Sequence, residues 1–206
     1  MLTEVLDTFI PVLMAVVLHE VAHGYAALKL GDDTAYRCGR LSLNPIQHID
    51  MFGTVILPLI LWQLHSPFLF GWAKPVPVNF GRLRNIRRDT VIVASAGVVV
   101  NAILAILAVL IFKIMPNTFC ANLIMINLAL IFLNILPFPP LDGSKMLFGW
   151  INRGWARRYM AAEREGMIAV LILIVGLPVV AKVLGFSEFD PLGQYMETMF
   201  NLVLGE

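Results

Sequence analysis

Two histidines four residues apart with a glutamate beside the first, His19-Glu20-Val21-Ala22-His23, are the side chains of this sequence best suited to chemistry. On a helix, positions i and i+4 share one face, so both imidazoles can bind a single zinc ion. Glu20, about a third of a turn round, stays free to take a proton from a water on that metal. The motif lies in a run apolar enough to cross a bilayer, which places hydrolytic chemistry in lipid. An ionisable group near the bilayer centre costs about 2.5 kcal/mol or more, and three within five positions imply a use rather than a chance match.

The elements that must position these residues are membrane helices. Of 206 residues, 59% are hydrophobic and 14% charged, against about 25% charged in soluble domains. The expected fold is an all-α polytopic membrane protein forming one domain over residues 1–206. Four stretches reach the roughly 20 apolar residues of a span: 8–28, 91–114, 119–136 and 167–184. A fifth, 54–64, is too short and contains Pro58, so it is expected as a re-entrant or hairpin element. Asp190-Pro191 reads as a helix start, with Leu192, Tyr195, Met196, Met199 and Val203 on one stripe. A C-terminal helix over 191–204 lying on the outer membrane surface is expected, packing against the bundle being the close alternative. Residues 143–165, with Trp150, Trp155 and Arg157-Arg158, read as an aromatic and basic interfacial anchor.

Charge supplies an orientation. If 54–64 turns back, residues 29–50, 66–90 and 143–165 share one side and hold 13 of the 15 Lys and Arg, leaving Lys113 and Lys182 opposite. If 54–64 spans, the split weakens to 10 against 5. The basic side is the cytoplasmic one, which puts both termini outside a multi-pass cell-membrane protein. A net charge of +1 argues against a nucleic-acid partner. Cys38 and Cys120 have neither disulfide nor metal spacing. The first apolar stretch follows Glu4 and Asp7 and carries the histidines, so it is expected to stay in the mature protein.

A catalytic zinc needs a third protein ligand beside an open position. Asp142, Asp50, His48 and His65 are the candidates. Asp142 follows Asn134-Ile135-Leu136-Pro137-Phe138-Pro139-Pro140-Leu141, whose prolines must break the third span. In the re-entrant arrangement His19, His23 and Asp142 all lie toward the cytoplasmic side and can meet. His48 and Asp50 sit in a cytoplasmic turn and read as loop-organising residues, with contact to the site as a minority reading. His65 reads as interfacial. Asn101 and Ser95 read as helix-packing residues or partners of a local carbonyl.

The sequence resembles the site-2 protease family of intramembrane zinc metalloproteases, in its short prokaryotic branch, over nearly its whole length. The resemblance rests, in order, on His19-Glu20-Val21-Ala22-His23, Gly39-Arg40-Leu41-Ser42-Leu43-Asn44-Pro45, His48-Ile49-Asp50, Gly71-Trp72-Ala73-Lys74-Pro75-Val76-Pro77-Val78-Asn79 and the stretch from Asn134 to Gly143. It implies that His19, His23 and Asp142 bind one zinc per chain, that Glu20 is the catalytic base, and that no other cofactor is held. It also implies that the substrates are membrane proteins with a transmembrane helix, cut in or near that helix, and it favours Asn134 as a substrate- or oxyanion-positioning residue over interhelical glue. Val98 replaces the proline frequent after Ala-Gly in the family, and Met51 the proline frequent after His-Ile-Asp. PDZ and CBS domains are expected to be absent or supplied by partners. A helix must unwind before its peptide bond can be attacked, and the proline-rich residues 54–79 could pair with the unwound strand or simply plug the cavity. The alternative from another class is a membrane transporter using the His/Glu cluster as a metal or proton relay.

Overall fold

A computed structural model describes residues 2–63, 71–151, 154–177, 180 and 191–204. Among these residues every regular element is helical, and three helices are long and apolar enough to cross a membrane. They are α1 (Leu2–Lys29), α4 (Ile86–Ile114) and α5 (Thr118–Ile135). At 1.5 Å per residue even α5, with 18 residues, reaches about 27 Å. Asparagine starts two of them: Asn85 accepts from the Arg88 N–H while Asp89 accepts from the Asn85 N–H, and Asn117 accepts from the Cys120 N–H.

The three helices pack through small residues and turn large ones outward. On α1, Pro11, Ala15, His19, His23 and Ala27 form one buried i, i+4 row. On α4 the buried row runs through Val93, Gly97, Asn101 and Ala105, while Val99, Ile103, Ile106 and Leu110 are exposed. Large apolar side chains outside and small ones inside are the pattern of helices that meet lipid, where close backbone approach drives association.

One end of this trio is fixed by the short α4–α5 connection, where the Asn122 amide donates to the Asp7 carbonyl (2.9 Å). The other end carries the irregular segments. After α1 come α2 (Thr34–Arg37), a single 3₁₀ turn at Pro45–His48, and a wide π-type turn (Met51–Ile56) running into α3 (Leu57–Gln63). Thus the short apolar element is helical, although Pro58 is expected to prevent regular helix. The proline stands at the second position of α3, just past the widened turn. Its 13 residues reach only about 20 Å, short of a bilayer. Residues 71–79, without regular secondary structure, then form a strap across the end of α1.

Beyond α5 the chain breaks at Leu136, forms α6 (Asp142–Phe148) and α7 (Gly154–Ala161), and enters α8 (Glu163–Leu171), continued by a π-type turn at Ile172–Gly176. The later half of the expected span 167–184 lies largely outside the described residues. Helix α9 (Pro191–Leu204) packs against the bundle, the alternative to the surface placement. It runs along α5: Tyr195 stacks near Phe132 (4.3 Å between ring centroids), Phe200 meets Phe112 (6.2 Å), and Met199 and Val203 cover Ala108, Leu123 and Ile124. Its apolar stripe packs in a groove between α4 and α5.

Candidate metal centre

The i, i+4 row of α1 aims His19 and His23 at α4, and Gly97 makes room for them. A Cβ at Gly97 would overlap ring atoms of both histidines. Asp142 comes from the opposite wall. It opens α6 after the Pro137–Pro140 break, and the carbonyls that this break frees are taken up locally. Tyr159 Oη donates to the Pro137 carbonyl (2.5 Å), Lys145 Nζ to the Pro140 carbonyl (3.0 Å) and Ser144 Oγ to the Leu141 carbonyl (2.8 Å). Gly166 of α8 lies so close to Pro139 that any side chain there would strike its carbonyl. The loop is therefore held from three sides, and Asp142 with it.

Asp142 Oδ2 lies 3.2 Å from His19 Nε2 and 3.1 Å from His23 Nε2, and the two Nε2 atoms are 3.0 Å apart. All three side chains are buried or nearly so. His23 Nδ1 donates to the Val93 carbonyl (2.7 Å), which can only accept, so its Nε2 presents a lone pair. His19 Nδ1 sits 2.5 Å from Asn101 Oδ1. Asp142 Oδ2 is buried without a hydrogen-bond partner. With both imidazoles neutral and protonated on Nδ1, three acceptor atoms converge, an arrangement that a metal ion, or a proton shared between an imidazole and the carboxylate, relieves. Two imidazoles and a carboxylate are an ordinary donor set for zinc, so the residues fit that ion.

Glu20 is not part of the triad. Its Oε2 accepts from the Val76 N–H (2.8 Å), which ties it to the strap. Gly24, one turn on, leaves the space that Val76 and Leu41 fill. Side chains anchor the strap along its length. Arg40 donates to the Lys74 and Pro75 carbonyls, Thr54 Oγ1 to the Trp72 carbonyl, and the Lys74 N–H reaches the His48 carbonyl. Asp32, fully buried, accepts from the Asn79 N–H (2.6 Å), the Thr34 N–H and the Thr34 hydroxyl. Burial alone would push the Asp32 carboxyl up, but the Thr34 and Asn79 hydrogen bonds, helped by the charge of Arg82, hold it below its ordinary value.

The other sequence candidates fall elsewhere. His48 Nε2 donates to the Ser42 carbonyl, and Asp50 caps the Phe52 and Gly53 N–H groups, so both organise the loop beside the strap. His65 lies outside the described residues. Asn134 donates to the Leu130 carbonyl of its own helix (3.0 Å) and does not join the triad. Ser95 bonds the local Val91 carbonyl, as expected. Asn101 does more than pack, since it meets His19. Asn127, which bonds Asn101, was not singled out, and neither was Tyr159. The i, i+4 spacing of Val93, Gly97 and Asn101 was the available signal for Asn101, whereas Val76 acts through its backbone and leaves no sequence mark.

Comparison with known proteins agrees with this chemistry. Residues 113–177, which include Asn134 and Asp142, match the model of peptidase family M50. A Bacillus subtilis (strain 168) protein named "Putative zinc metalloprotease YwhC" is 37% identical over 180 residues, covering 81% of this chain and 78% of its own length. Two mycobacterial proteins similarly named, with the designation Rip2, are 26% identical (Mycolicibacterium smegmatis) and 29% identical (Mycobacterium tuberculosis, strain H37Rv). Each match covers 79% of this chain and 64% of the relative. No solved structure matches. Identity of this extent over most of both chains, together with the family match, means that the chain belongs to peptidase family M50, the site-2 protease family of zinc metalloproteases.

Proposed function

We propose that this protein is an intramembrane zinc endopeptidase that cuts membrane proteins in or near a transmembrane helix. The observation that carries the reading is the convergence of His19, His23 and Asp142 inside a bundle of bilayer-length helices, with Glu20 beside them on α1. His19, His23 and Asp142 would hold one zinc, which supplies Lewis acidity toward a carbonyl and makes water a stronger acid. Glu20 commits one oxygen to the Val76 N–H and keeps a second for proton transfer, from the attacking water and then to the leaving amine. Asn134 would stabilise the developing oxyanion by turning its amide away from Leu130. The strap at residues 71–79 is not helical and Pro75 and Pro77 oppose helix there, which suits pairing with a substrate segment that has unwound.

Charge distribution supports a cytoplasmic location for the strap and for Asp142, with 13 of 15 basic residues in the segments at that end. In this reading the chain is one membrane domain with both termini outside, and 54–64 is a re-entrant element. The transporter reading is not favoured, because the relatives are named as proteases. The test is co-expression of the chain with a panel of tagged single-span membrane proteins, beside Glu20→Gln. At least one panel member should be shortened only by the wild type; a panel left whole, or cut equally by both, would sink the proposal.

A further inference from the structure

Behind His19 lies a line of two fully buried amides. Asn101 Oδ1 faces His19 Nδ1 (2.5 Å), Asn101 Nδ2 donates to Asn127 Oδ1 (2.7 Å), and Asn127 Nδ2 donates to the Leu123 carbonyl (2.7 Å). The last group decides the direction of the rest. A backbone carbonyl accepts and never donates, so Asn127 must turn its NH₂ to Leu123 and its oxygen to Asn101. Asn101 must then turn its NH₂ to Asn127 and its oxygen to His19. An oxygen opposite Nδ1 requires the proton on Nδ1, which in the neutral ring leaves Nε2 bare toward His23 and Asp142. Reversing any link would set two hydrogens or two lone pairs against each other in a dry interior, where an unpaired polar group is most costly.

We infer that Asn127 is a positioning residue for the metal centre: through Asn101 it relays the polarity of the Leu123 carbonyl to His19 and so fixes the imidazole in the form that can bind a cation through Nε2. Asn127 touches neither substrate nor metal, and it sits on α5 while His19 sits on α1. The inference rests on the proposed use of His19, His23 and Asp142 as zinc ligands.

The test is a double-mutant cycle on zinc affinity, read by competition with a chelator on the full chain in detergent, with Co²⁺ absorption as a second readout. Asn127→Leu keeps the branched shape but frees Asn101 to turn, and should weaken zinc by about 10- to 100-fold, the usual cost of losing a partner behind a ligand. Asn101→Asp puts a carboxylate against His19 Nδ1 that can only accept, so the imidazole no longer depends on Asn127. In that background a carboxylate oxygen faces Asn127 Oδ1, so Asn127→Leu removes an oxygen–oxygen contact and should cost no zinc affinity, holding or raising it where the single variant lowers it. A packing role predicts the same loss in both backgrounds and would overturn the inference. Asn127→Ala serves as a second variant, with the same pattern expected, should the leucine fail to fold. Zinc binding that needs His23 and Asp142 but is indifferent to Asn127 would refute this inference alone. A wild type whose zinc does not depend on His23 or Asp142 would remove the underlying reading as well.

Discussion

On the inner side of the site, His19 and His23 are held by neutral groups, two asparagine amides and a backbone carbonyl, whereas the strap on the outer side is held by charged ones, Asp32, Arg40 and Glu20. Both sets fix a site residue in place. The inner set faces helices surrounded by apolar side chains, where an ionised group costs several kilocalories, while an amide that donates and accepts can be fully satisfied. Glu20 apart, the outer set lies beyond the C-terminal end of α1, where Asp33 pairs with both Arg37 and Arg82 and charge is cheap to solvate. Distance from the apolar bundle thus goes with the chemistry of positioning, and Glu20 stands where the two regimes meet.

The sharpest break in this comparison is at that boundary. Glu20→Gln should keep its zinc and lose hydrolysis by at least about 100-fold, because the amide cannot take a proton. Cleavage assays with metal analysis decide it, and a variant that still cuts would show that the base is elsewhere. Next in size is Gly97→Ala on the inner side. Its Cβ must displace one imidazole, so activity at saturating zinc should drop by about 100-fold.

On the outer side, Asp32→Ala leaves the Asn79 and Thr34 N–H groups without their acceptor, at a cost of about 2 kcal/mol in local stability. Faster protease clipping near the strap would report it. Because the folded carboxyl titrates below the ordinary value of 3.8, its contribution is complete above that pH and is lost as pH falls through the lower folded value. Wild-type protection should therefore persist at pH 5 and fade only below about pH 4; loss near neutrality would contradict the assignment to Asp32. Smallest is Arg37→Ala, which breaks an exposed pair with Asp33 and should change stability by no more than about 0.5 kcal/mol in thermal unfolding.

The sequence by itself determined the helical class, the long apolar helices and the three residues to watch, because those depend on properties it displays directly. Hydropathy marks α1, α4 and α5 to within a few residues, an i, i+4 pair of histidines can face only one way, and prolines after Ile135 end a helix wherever they occur. Tertiary structure decided the rest. That Asn101 faces His19, and that Asn127 stands behind it, depends on which rows of three helices meet. An isolated asparagine in a span reads the same whether it packs a helix or serves a ligand. The strap reaches Glu20 through a backbone N–H that every residue except proline possesses, so no side chain announces it. Helix α9 carries one apolar stripe that a membrane surface or a groove between helices would cover equally well, and only the presence of that groove, between α4 and α5, separates the two.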